Sequence, residues 1–173
     1  MKKIYIVLTY TGTALSRIIK LYTKKEYSHV SISLDKKLTK MYSFGRLNPY
    51  NPFIGGLVQE SPKFGTFKRF KNTESKIFSI DVTDSEYYFI KKTIKNMYSN
   101  KENYTFNVLG LAAVLINKKI SRENSFYCAE FVKYVLERSN LNVDLPNIVK
   151  PEDFRKLEGL SEIYTGKLNQ YNM

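Results

Sequence analysis

SHVSISL, residues 28–34, alternates polar and apolar side chains from His29 onward. A strand turns successive side chains to opposite faces, so His29, Ser31 and Ser33 share one face while Val30, Ile32 and Leu34 share the other. The apolar set suits a core, and the His29 set is expected to face a cleft. Upstream, KIYIVLTY (3–10) reads as a buried strand. Gly12 follows as punctuation, and Thr13 stands as N-cap to a helix ALSRIIKLYTK (14–24) with an apolar stripe of Leu15, Ile18, Ile19 and Tyr22. Downstream, the polar turn DKKL leads into a strand over 39–44.

Residues 45–63 hold Gly45, Pro49, Pro52, Gly55, Gly56 and Pro62, a composition that predicts a long irregular loop. FGTFKRF (64–70) and KIFSIDV (76–82) look like strands. Asp84 or Ser85 should cap an amphipathic helix through Tyr98, followed by a more apolar helix over 104–116 and an amphipathic one over 125–139. Pro151 suits the first position of a short helix through Leu157. These elements predict an α+β fold, an antiparallel sheet flanked by helices, in one domain over 1–173.

Composition narrows the function. A chain of 173 residues with 43% apolar and 14% aromatic residues can bury a sizeable core. One cysteine cannot close an internal disulfide, and one Cys with one His cannot supply a four-ligand structural zinc site. MKKIYIVLTYTGTALS imitates a secretory signal, but its apolar run IYIVL is short and Thr9, Tyr10 and Thr11 break it, so a first strand is expected. The expectation is a cytoplasmic protein without cofactor in which Cys128 stays reduced. The net charge is +12, and residues 1–76 carry 15 Lys and Arg against 4 acids. That excess suits an anionic partner such as an acidic membrane surface, which would place the protein at the membrane periphery. A solvated Lys-rich surface accounts for the same excess. No phosphate-binding glycine motif and no nucleic-acid motif is present, so nucleotide chemistry has no support and nucleic acid is the less expected partner.

The lone cysteine and the lone histidine both fall where thiol chemistry needs them. Cys128 lies at the start of SFYCAEFVKYVLERS (125–139), with Ser125 or Asn124 as N-cap, where unpaired N–H groups and the helix dipole favour a negative charge. The thiolate is the reactive form of cysteine, and an imidazole held on a strand can take its proton and later return it to a leaving group. Backbone N–H groups around Cys128 could form part of an oxyanion hole. A core cysteine beside an unrelated surface histidine is the competing reading.

The order of the segments resembles that of the NlpC-type papain-like amidases in their circularly permuted, YiiX-like branch. The resemblance is carried by TGTALSRIIKLYT after a strand, then YSHVSISL, MYSFG, FYCAEFVKYVLE and the Pro-led VKPEDF. It implies a permuted papain-like fold and a thiol amidase or peptidase acting on a peptide or amide-linked small substrate. Cys128 would be the nucleophile and His29 the base, with Tyr127 lining the oxyanion region. In that family a polar residue on the strand after the base orients its ring. Here that strand is MYSFG, and its parity makes Ser43 the equivalent, with Tyr42 on the opposite face. A serine carries no charge and would stabilise an imidazolium less than a carboxylate does. Glu60, in GGLVQESP, is a substitute if its loop folds back over the cleft, and an exposed loop acid otherwise. Arg46 could bind a substrate carboxylate or phosphate, and Tyr42, Phe44, Tyr50 and Phe53 could line a pocket. An acyltransferase would use the same Cys–His pair. A non-catalytic basic module that binds an anionic surface is the alternative from a different class.

Overall fold

The computed structural model describes residues 1–48 and 50–172, apart from the side chains of Pro52 and Phe53, so Pro49 and the pocket role considered for Phe53 lie outside it. Its centre is a six-stranded sheet in the order β4-β3-β2-β1-β5-β8, antiparallel at every step. The strands are β1 (Lys2–Tyr10), β2 (His29–Ser33), β3 (Met41–Asn48), β4 (Asn51–Glu60), β5 (Glu74–Val82) and β8 (Leu160–Lys167). The helices are α1 (Ala14–Thr23), α2 (Gly65–Arg69), α3 (Asp84–Ser99), α4 (Val108–Leu115) and α5 (Cys128–Glu137). A parallel pair, β6 (Thr105–Phe106) and β7 (Ser125–Phe126), precedes α4 and α5.

Strand parity sorts the core into two layers. Ile4, Ile6, Leu8, Val30, Ile32 and Phe44 form one face of the sheet, in a cluster with Ile90 and Ile94 of α3 and Phe131, Val132 and Val135 of α5. Tyr5, Val7, Met41 and Ile77 belong to the opposite face, which Phe67 of α2 and the C-terminal Leu168 and Tyr171 cover. The face carrying His29 is therefore covered over much of its extent, and Ser31 and Ser33 are fully buried. At about 25 cal/mol per Å² of apolar surface, each large side chain in these layers contributes roughly 1.5–3 kcal/mol.

The α+β expectation describes this architecture, and four local expectations need correction. Residues 45–48 and 51–60 belong to β3 and β4, which pair as a hairpin, and do not form a loop. Three of its glycines are places of close approach within strands: a Cβ on Gly45 would lie 3.0 Å from Glu60 Oε1, one on Gly55 would lie 2.8 Å from Phe106, and one on Gly56 would lie 3.3 Å from Leu47. The segment FGTFKRF forms α2, because the spacing of Phe64, Phe67 and Phe70 is helical and Phe67 is the residue that buries. α3 starts after Thr83, whose hydroxyl accepts the Glu86 N–H while the Glu86 carboxylate accepts the Thr83 N–H, a capping box in place of an Asp84 cap. α4 starts only after Asn107, whose Oδ1 accepts the Gly110 N–H at 2.8 Å. The last strand, β8, has the exposed, irregular pattern of an edge and carries little alternation to read.

Candidate active site

A cleft lies at the end of the sheet where β1 leaves, β2 enters and β3 passes; Thr11, His29, Gly45, Arg46 and Cys128 all line it. Each functional side chain is brought there by local structure. The chain between α1 and β2 is pinned by the Ser28 N–H donating to the Thr9 carbonyl and the Tyr27 N–H donating to Glu152 at 3.0 Å. His29 is then the first residue of β2. A position at the strand end lets its ring meet groups from both sides of the sheet.

Cys128 is the first residue of α5, and Tyr127, not Ser125 or Asn124, is the N-cap residue. Ser125 and Phe126 are taken up in β7, which delays the helix start to the cysteine itself. The Tyr127 N–H is held by the carboxylate of Glu130 at 3.2 Å, and Asn107 Nδ2 donates to the same carboxylate at 3.3 Å. Cys128 thus sits among the unpaired N–H groups of the first helical turn. Its side chain is buried, and the residue is 5% exposed.

The two ring nitrogens of His29 have separate surroundings. Nε2 faces the Glu60 carboxylate, 3.1 Å from Oε1 and 3.2 Å from Oε2. Glu60 in turn accepts the Ser31 hydroxyl at 2.5 Å. Cys128 lines the same cleft as the ring, and its thiol is among the groups that favour the charged form of His29. Burial alone lowers the His29 pKa, but the Glu60 charge and the hydrogen bonds to Cys128 and Glu60 outweigh it and raise it to about 10. The charged form of the ring is therefore favoured.

Of the residues singled out in the sequence, Cys128, His29, Glu60, Arg46, Phe44 and Tyr127 line this cleft. Ser43 does not orient the ring. Its hydroxyl donates to the Val30 carbonyl at 2.8 Å within the buried sheet, and Glu60 occupies the place beside Nε2. Tyr42 is also away from the cleft: paired with Ile32, it packs its ring on Tyr98 of α3 at 5.5 Å. Tyr127 contributes bulk to the cleft wall, but its hydroxyl donates to the Val149 carbonyl at 2.9 Å, and burial is the main cause that raises its pKa. Arg46 donates to Thr13 Oγ1 at 2.8 Å and lies over the Phe70 ring. Among the described residues it has no carboxylate within 4 Å. Ser31 and Gly45 are the members that sequence reasoning passed over. Ser31 shares the His29 face by parity, so the signal for it was present.

No family model matches the chain, and comparison with curated proteins gives no match. Among solved structures the chain is similar to YiiX from Escherichia coli O157:H7, described as a metalloprotein of the DUF1105 group. The two share a TM-score of 0.56 at 14% identity, over 96% of this chain and 98% of that one. At that identity the likeness establishes a shared fold. Among the described residues no group of three or more His, Cys, Asp or Glu side chains is placed to hold a metal ion.

Proposed function

We propose that the protein is a thiol hydrolase that cleaves an amide bond through an acyl-enzyme on Cys128, in the manner of the permuted papain-like amidases. The observation that carries this reading is the placement of Cys128, His29 and Glu60 on one cleft, with the Glu60 carboxylate on Nε2 of the ring. In the proposed reaction the thiol proton resides on Nδ1 and the Cys128 sulfur adds to the substrate carbonyl carbon. The oxygen of the tetrahedral intermediate takes its negative charge toward the N–H groups of the first turn of α5. His29 then gives its proton to the departing amine as the C–N bond breaks. A water molecule, losing a proton to His29, attacks the thioester, and the carboxylic acid leaves as the sulfur is released. Glu60 holds the ring in one tautomer throughout and stabilises its charged form.

The cleft walls favour an apolar acyl portion. Leu15 and Ile19 of α1, Phe44, Phe67, Phe106 and Leu111 line it, and Arg46 supplies a cation for a carboxylate or phosphate elsewhere on the substrate. An acyltransferase would follow the same first half-reaction and differ in using an amine or alcohol in place of water.

YiiX is described as a metalloprotein, and the side chains here do not suit that role. Nε2 of His29 faces Glu60, and Glu60 is engaged by His29 and Ser31, which leaves, among the described residues, no set of free donors converging on one point. No step of the proposed reaction passes through a metal.

An activated ester, p-nitrophenyl acetate, tests the reading. We expect a burst of nitrophenol and an acetyl group mapped by mass spectrometry to Cys128, with Cys128→Ala showing neither and His29→Ala slowed by about a hundredfold or more. Acetylation confined to lysines, or equal rates in all three proteins, would overturn it.

A further inference from the structure

Two helices border the cleft, and both turn large apolar side chains to solvent, where a helix in water normally shows a polar face. α4, VLGLAAVL, has no polar side chain at any position. Its inner side buries Gly110, Ala113 and Val114, yet Val108 and Leu109 are 52% and 55% exposed, and Ile116 at its C-cap is 65% exposed. α1 buries Ser16 and Ile19 and leaves Ile18, Leu21 and Tyr22 outward, with Leu21 74% exposed. Positions 18, 21 and 22 fall on one side of the helix, away from 16 and 19. The two helices touch each other.

Charge singles out the same surface. Residues 11–25 and 103–122 contain no Asp or Glu, while they carry Arg17, Lys20, Lys24, Lys25, Lys118, Lys119 and Arg122. Glu26, next along the chain, is turned to Arg155. Outward aliphatic side chains among an excess of cations, with Glu102 and Glu123 the acids that flank the second segment, are the pattern of a helix that lies in a bilayer interface. Among the described residues no helix is long and apolar enough to cross a membrane.

We propose that the α1–α4 face docks the protein on an anionic phospholipid surface, with Ile18, Leu21, Val108, Leu109 and Ile116 entering the headgroup region and the surrounding Lys and Arg meeting lipid phosphates. A second copy of the chain fits poorly on this face, because symmetric pairing would bring cation against cation. Single-stranded nucleic acid fits poorly because the outward residues are aliphatic, apart from Tyr22, and offer few rings for bases to stack on. The proposal stands independently of the reaction assigned to Cys128.

The test is flotation of the full chain with vesicles of phosphatidylcholine alone and of equal parts phosphatidylcholine and phosphatidylglycerol, at low and high salt. We expect binding to the anionic vesicles and little to the neutral ones. Leu21→Glu combined with Ile116→Glu should weaken binding by about tenfold or more, and each of Lys24→Gln and Lys119→Gln by about fivefold. All four positions are exposed, and circular dichroism verifies that the variants fold. Absence of wild-type flotation with anionic vesicles would overturn the proposal, as would equal flotation of the Leu21→Glu, Ile116→Glu protein. If that double variant instead abolishes self-association in sedimentation, or retention on RNA, while flotation is unchanged, the face belongs to that partner and the proposal fails.

Discussion

The carboxylate of Glu60 meets Nε2 of His29 at 3.1 Å across 31 residues of sequence, from the last position of β4 to the first of β2. Both groups are largely enclosed, with side chains 19% and 9% exposed, so their attraction is weakly screened. The His29 pKa is raised above its ordinary value, so the charged ring contributes stability that is fully present below about pH 6.5 and is lost as pH rises through about 10. Glu60→Gln removes the charge and keeps the shape. We expect the ring's titration, followed by NMR, to move down in that variant, and the loss of stability between about pH 6.5 and 10 to flatten.

Ser31 and Ser43 should separate cleanly. Ser43→Ala removes a buried hydrogen bond to the Val30 carbonyl and should cost about 1 kcal/mol of stability with Cys128 reactivity unchanged. Ser31→Ala withdraws a donor from Glu60 and should lower the rate of Cys128 alkylation at neutral pH as well as stability. Denaturant unfolding and alkylation rates, measured side by side, check both.

Gly45 is constrained by the site. A Cβ there meets Glu60 Oε1 at 3.0 Å and His29 Cε1 at 3.7 Å, so a larger side chain must displace the ion pair. Gly45→Val should fold with a loss of about 1–3 kcal/mol and shift the His29 titration toward that of Glu60→Gln. An unshifted titration in a folded Gly45→Val protein would show that the pair tolerates displacement.

What could be read from the sequence was whatever depends on period and residue type. The alternation of SHVSISL placed Val30 and Ile32 in the core and His29 with Ser31 on the other face, as the register with β1 has it. Thr13 capped α1 as its hydroxyl chemistry required. The β3–β4 hairpin was hidden because its glycines look like turn residues, while their actual role depends on the side chains that cross them, Glu60, Phe106 and Leu47. Once that stretch is read as a loop, the register of β4 against β3 is lost, and with it the position of Glu60 opposite Met41. Ser43 then looks like the nearest polar neighbour of the ring. The local sequence holds no sign that its hydroxyl turns back to the Val30 carbonyl.

The central claim is that Cys128 and His29 act as a pair, and the most direct measurement is the rate of Cys128 alkylation by iodoacetamide as a function of pH, in the native chain and in His29→Ala. Cys128 is the only cysteine, so the signal has one source. Substantial alkylation near pH 6, where an ordinary thiol with a pKa of about 8.5 is almost wholly protonated, and its loss in His29→Ala, is the predicted result. Identical profiles in the two proteins, or no reaction until the chain unfolds, would contradict the account and leave Cys128 as a core residue.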